Sequence, residues 1–167
     1  MIQMNNMQIK LIDLNHDLIQ KAKALGYDAI CADYFLESYK TENPVLMTAS
    51  NPRFTFGGGL DALFMEKFRG LCEYKQVKGG GQERIANIIF AITVDDTYRA
   101  TKETIRQALQ FAKDNTGENE TLCMSCVGTG IGSISGEDFL EVFSEVFPIC
   151  SHEEYEKGRC VACGNEQ

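Results

Sequence analysis

Residues 44–61 read PVLMTASNPRFTFGGGLD, and how this stretch is parsed decides the fold. PVLMTA (44–49) is a short apolar run of the kind a strand covered on both faces shows. An Asn-Pro turn follows, then three consecutive glycines. After them Leu60, Leu63, Phe64 and Phe68 recur at helical spacing until Gly70 ends the pattern. Strand, glycine loop and helix in that order form one unit of an α/β protein. Adjacent glycines cost conformational entropy, so a chain that keeps them at a helix entrance is either making an undemanding turn or bringing bare backbone close to something.

The same order repeats outward from this unit. IKLIDLN (9–15) predicts a strand, and 17–26 a helix whose Leu18, Ala22 and Leu25 share a face before Gly26 stops it. DAICA (28–32) predicts a second strand. Downstream, 70–84 reads as loop with more glycines at 79–81, and ANIIFAIT (86–93) as a strand. A helix is expected over 97–114, with Tyr98, Thr101, Ile105, Ala108, Leu109 and Ala112 on one stripe. TLCMSCV (121–127) is a strand and GTGIGS (128–133) a loop, after which Ser135 and Asp138 resemble a capping box opening a helix over 136–147. Strands alternating with helices predict a three-layer α/β/α sandwich around a central mixed, mostly parallel sheet. Ligands in such folds bind beyond the carboxyl ends of the strands, where Asp33, Asn51 and Gly128–Gly132 all fall. Residues 1–147 are expected to form this domain, and 148–167 a Cys-rich tail without periodicity.

In 167 residues, 44% hydrophobic, there is enough apolar material for one core. No run of eighteen or more apolar residues occurs, and the N-terminus lacks a basic segment followed by an apolar one, so no membrane span or signal peptide is expected and the chain reads as cytoplasmic. Seven cysteines, an odd number, then read as reduced thiols. Sixteen basic against twenty-four acidic residues give a net charge of −8, which argues against extended nucleic-acid binding. A small phosphorylated ligand is compatible with that charge, because backbone N–H groups at a helix start bind phosphate without Lys or Arg.

GTGIG matches neither a P-loop nor the dinucleotide fingerprint. Taken together, however, CADYF after the second strand, ASN-x5-GGGLD after the third and GTGIG after the last resemble the macro domain, the ADP-ribose-binding family, and in particular its bacterial and phage branch. The resemblance runs from about residue 8 to 147. It aligns Thr48-Ala49-Ser50-Asn51 with the family's Asn-Ala-Ala-Asn segment, Gly57-Gly58-Gly59 with its glycine run, and Leu60-Asp61 with the residues after it. It implies that Asp33, beside Tyr34, accepts a hydrogen bond from the adenine amino group, which an ionised carboxylate can do while repelling a guanine carbonyl. Asn51 is implied to contact the distal ribose and to be the catalytic residue, by holding a water. Gly57, Gly58, Gly59 and Asp61 line the distal ribose and its phosphate, and Gly128, Thr129, Gly130, Ile131 and Gly132 wrap the diphosphate.

The implied activity is hydrolysis at the anomeric carbon of the distal ribose, releasing a 1″-phosphate, an acyl group, or a modified protein or nucleic-acid base. No cofactor is required for it. ADP-ribose or a derivative is the expected ligand, ADP-ribosylated macromolecules the expected partners, and no membrane is involved. A non-catalytic ADP-ribose binding module is the alternative, and an ordinary doubly wound nucleotide protein stands outside the family. The sequence departs from the family at Thr48, which replaces the first asparagine, and at Gly132, where some members carry an aromatic ring or a catalytic aspartate. Lys67 reads as a solvated helix residue, so the lysine-dependent covalent branch is not implied, and Asp95–Asp96 read as a strand-terminating turn. In the tail, Cys150, His152, Cys160 and Cys163 lie within fourteen residues, and Cys-x-x-Cys at 160–163 followed by Gly164 has the turn of a zinc knuckle, so the tail reads either as free thiols or as a structural zinc site.

Overall fold

The computed structural model describes residues 8–149. In chain order they form β1 (Gln8–Asp13), α1 (His16–Ala24), β2 (Ala29–Cys31), α2 (Tyr34–Tyr39), β3 (Pro44–Met47), α3 (Gly59–Lys67), α4 (Arg69–Lys78), β4 (Glu83–Ile85), β5 (Ile88–Phe90), α5 (Lys102–Asp114), β6 (Thr121–Met124) and α6 (Gly136–Val146). One six-stranded sheet has the order β2-β1-β6-β3-β5-β4. All its pairs are parallel except the hairpin β4–β5 at one edge. The expected three-layer α/β/α sandwich with a mixed, mostly parallel sheet is what the chain forms.

Alternation along each strand builds two cores. Leu11, Val45, Met47, Ile89, Leu122 and Met124 point to one face and pack on α1, α5 and α6. Ile12, Leu46, Ile88, Phe90 and Cys123 point to the other and pack on α2, α3 and α4. Period-two alternation of side chains sends each neighbour the opposite way, so strands that read as continuous apolar runs serve both cores. Cys123 and Cys126 fall in different cores.

The structure corrects three boundaries. Residues 70–84 are not loop: Gly70 lies in the first turn of α4, and Lys75 occupies the buried face where an apolar residue would have revealed the period. The strand expected over 86–93 is shorter, because Ala86, at φ 54, turns the β4–β5 hairpin. The helix expected from 97 begins at Lys102, with Thr101 as its N-cap in a full capping box with Thr104. Ser135 caps α6 by accepting from the Asp138 N–H, as its spacing suggested. The tail residues Cys150, His152, Cys160 and Cys163 lie outside the described residues.

Candidate functional site

The loops leaving the carboxyl ends of the strands diverge to opposite faces. Those after β1, β5 and β6 lead to α1, α5 and α6, and those after β2 and β3 to α2 and α3, on the other side. A crevice must open between them, and it does: a cavity of about 610 Å³ lies there. That is the size of a small-molecule site. Asp33, Tyr34, Asn51, Gly57, Gly58, Gly59, Asp61, Gly128, Thr129, Gly130, Ile131 and Gly132, each singled out from sequence for binding, all line it. Asp13, Leu14, Thr55, Tyr98 and Cys126 line it as well and were not anticipated.

Tyr34 explains how the crevice opens. The β3–β6 ladder ends at Leu46–Cys123. The Tyr34 hydroxyl takes the place of the next rung, donating to the Cys123 carbonyl at 2.6 Å and accepting from the Met47 N–H at 2.9 Å. Both strands stay satisfied while they separate. Burial raises the Tyr34 phenol well above its ordinary pKa, so the hydroxyl is a neutral structural bridge and Tyr34 lines the site without a free polar group. Asp13 does the matching work at β1, where one oxygen accepts from the Cys126 N–H at 2.9 Å and the other from the Asn15 N–H. Burial, and after it the Asp13 carboxylate, push the Cys126 thiol up, which makes it a poor nucleophile at neutral pH.

On the opposite wall, Asn51 builds its own turn: its Oδ1 accepts from the Arg53 N–H at 3.0 Å and its Nδ2 donates to Thr55 Oγ1 at 2.7 Å. The amide keeps one further N–H and one lone pair for a ligand. Phe54 and Phe56, both at φ 52, are buried and pack against Phe90. A left-handed backbone at two bulky residues is strained, and burial of their rings holds the loop in place. Thr48, the departure from the family segment, is fully buried: its hydroxyl accepts from the Ala91 N–H and ties β3 to the end of β5. Asp61 is buried on the first turn of α3 and accepts from the Ala49 N–H at 3.2 Å. Burial raises its carboxyl to about 6, against a smaller opposing pull from hydrogen bonds of Ser50 and Ala49.

Free backbone donors face the crevice from both walls. α1, α2, α5 and α6 each have a side-chain N-cap, whereas α3 and α4 have none, and of these two α3, with Gly58 as its N-cap, starts at the cavity wall. Its first-turn N–H groups have no side-chain cap, the kind of helix start at which anions bind. Across the crevice, the N–H groups of Gly128, Gly130, Ile131 and Gly132 donate to nothing among the described residues. Ile131 Cδ1 would lie 2.9 Å from a Cβ at Gly58, so the two loops approach each other where both sets of donors converge.

Lys67 places its ammonium over the Phe35 ring at 5.3 Å. Asp95 makes a turn, as its position after a strand suggested: its Oδ1 accepts from the N–H groups of Thr97 and Arg99. Asp33 caps α2 by accepting from the Leu36 N–H with one oxygen, leaving the other for the crevice.

No protein-family model and no curated protein matches the chain. Among solved structures it is similar to a protein of unknown function from Bacteroides thetaiotaomicron, with a TM-score of 0.58 and 14% identity over 84% of this chain and 91% of that one. That likeness concerns the fold alone. No helix among the described residues is long and apolar enough to cross a membrane.

Proposed function

We propose that the chain is a macro-like protein that binds ADP-ribose or a derivative along this crevice and hydrolyses a bond at the anomeric carbon of the distal ribose. The observation that carries the reading is the convergence of two sets of free backbone donors, the uncapped start of α3 and the 128–132 loop, between an acceptor at Asp33 and an amide at Asn51. A diphosphate suits the donors because peptide dipoles bind it without added cations, which reconciles anion binding with a net charge of −8. In this reading the adenine lies at the β2 end by Asp33, the diphosphate at the β6 loop and the distal ribose at the β3 end by Asn51, a layout that the strand order supports.

For hydrolysis, a water between Asn51 and the ligand's own phosphate attacks the anomeric carbon. The protein contributes position and oriented dipoles and needs no side-chain nucleophile. Turnover of a panel of ADP-ribose derivatives by wild type and Asn51→Ala tests this. Asn51→Ala is expected to lower turnover by about a hundredfold while affinity changes little, because placing water matters mainly in the transition state. Undiminished turnover in the variant moves the chemistry to Asp61, whose carboxyl near 6 suits a general base.

One observation favours a binding module instead: the Asn51 amide is already engaged in shaping its own turn. In that reading no derivative is turned over even at high protein concentration, and Asn51→Ala costs only affinity.

A further inference from the structure

Tyr98 was expected on a helix stripe, and the structure puts it instead on the wall of the crevice, at the end of the turn that precedes α5. Its φ is 63, a left-handed backbone that a bulky residue adopts only under constraint. The constraint is visible. Asp95 Oδ1 accepts from the Thr97 N–H, the Thr97 hydroxyl and the Arg99 N–H at 2.8, 2.7 and 3.0 Å. The Asp95 N–H donates to the Arg99 carbonyl and the Tyr98 N–H to the Asp95 carbonyl. The turn then docks on the 128–132 loop through the Ala100 N–H and the Gly132 carbonyl at 3.0 Å.

Nothing in the core repays this strain. Tyr98 is 44% exposed, and its hydroxyl, like those of Tyr39 and Tyr74, has no hydrogen-bond partner among the described residues; what sets Tyr98 apart from those two is its left-handed backbone. A rigid turn that presents a strained, half-open aromatic to a cavity is arranged for whatever occupies the cavity.

Sheet order says where along the crevice this happens. The β5 loop lies beyond the β3 loop, on the side away from Asp33, so Tyr98 and Val94 stand on the wall facing that of Asn51 and Thr55. If the distal ribose sits at Asn51, whatever its anomeric carbon carries reaches toward Tyr98. Resting on the reading above, we propose that Tyr98 is a specificity-determining residue for ligands whose anomeric carbon carries a planar, N-linked heteroaromatic ring, which stacks on the phenol face. A flat π-system gains from such a face by dispersion, and a phosphate or acyl group gains little.

Calorimetry with two probes tests the inference in wild type, Tyr98→Ala and Tyr98→Phe. One probe is ADP-ribose. The other is nicotinamide adenine dinucleotide, which is ADP-ribose with an N-linked pyridinium ring on the anomeric carbon. Tyr98→Ala is expected to weaken the dinucleotide by roughly tenfold or more, the usual effect of losing one stacking partner, and to leave ADP-ribose within about twofold. Tyr98→Phe retains both affinities, because the ring and not the hydroxyl acts. Tyr98→Gly, which accepts a φ of 63 without strain, should reproduce the Ala result and so separates loss of the ring from distortion of the turn. Equal weakening of both probes in Ala and Gly, or a dinucleotide affinity indifferent to Tyr98, overturns the inference. Wild type that binds ADP-ribose but not the dinucleotide also overturns it while leaving the ADP-ribose reading intact, and wild type that binds neither removes both.

Discussion

Glycines with the same letter serve opposite ends in this protein. A Cβ at Gly128 would stand 2.6 Å from Ile105 Cδ1 with φ at 84, and one at Gly132 would stand 2.9 Å from both Ala100 Cβ and the Gly128 carbonyl oxygen. These two are demanded by packing between the 128–132 loop and the start of α5. A Cβ at Gly130 meets nothing within 4 Å. Gly128→Ala is therefore expected to cost about 2–3 kcal/mol of stability, from a clash added to backbone strain. Gly130→Glu should leave stability within about 0.5 kcal/mol, as surface changes usually do. Its side chain would fill the space proposed for the diphosphate, so ADP-ribose binding should be lost. Urea unfolding and ligand titration on both variants read the two effects separately, and a destabilised Gly130→Glu beside a stable Gly128→Ala would contradict the assignment. GTGIG in the sequence points to a ligand loop but cannot divide its glycines, because the division depends on Ala100, just before α5, and Ile105, within it.

At the scale of elements, what was legible followed the apolar period. α1 and α6 bury regular stripes and were readable, as was the body of α5. Six-residue α2 and three-residue β4, half-buried throughout, are too short to show a period. Tyr98 was absorbed into α5 because it continues that helix's stripe by one turn, and only the Asp95 turn in three dimensions removes it. α4 was hidden by Lys75, whose side chain is 1% exposed. Its ammonium donates to the carbonyls of Gly79 and Gly81 and to Glu83 at 2.6–2.8 Å, and lies 4.6 Å from the centre of the Phe54 ring. Lys75, with Lys78 second, holds the Glu83 carboxyl below the usual range. Removing one partner of a buried, hydrogen-bonded charge is expensive, so Lys75→Ala is expected to cost about 3–5 kcal/mol, softened where Lys78 keeps Glu83 paired. Lys75→Met, which keeps the volume over Phe54, should lose less. Chemical unfolding of both variants checks the order, and equal losses would mean that the charge and its hydrogen bonds, and not the volume over Phe54, fix α4.

For the whole molecule, the sequence located the loops after β2, β3 and β6 that meet in the crevice, because each sits after a strand it also located, but not those after β1 and β5. It missed Asp13 and Tyr98, whose roles depend on elements from elsewhere in the chain. The pH response is likewise a property of the assembly. Asp61 carries its proton up to about 6 in the folded chain, against 3.8 for an ordinary aspartate. The folded state therefore binds that proton more tightly than the unfolded one, and the stability it contributes, about 3 kcal/mol, is present below pH 4 and lost as pH rises through 6. Glu120 runs the other way: Arg84 holds it at about 2, so its contribution is present above 4.5 and lost toward pH 2, and it is common to wild type and any Asp61 variant. Asp61→Asn keeps an acceptor for the Ala49 N–H, and its stability relative to wild type should rise from pH 4 to 7; a constant difference would mean that Asp61 is not desolvated as described. The central claim, an adenine-selecting ADP-ribose crevice, is tested most directly by calorimetry of ADP-ribose and its guanine analogue with wild type and Asp33→Ala. Saturable one-to-one binding of ADP-ribose is predicted, with clear preference over the guanine analogue and a loss of about 1–3 kcal/mol in Asp33→Ala, the range for a charge-assisted hydrogen bond. No binding of ADP-ribose, or equal binding of the two bases, would contradict it.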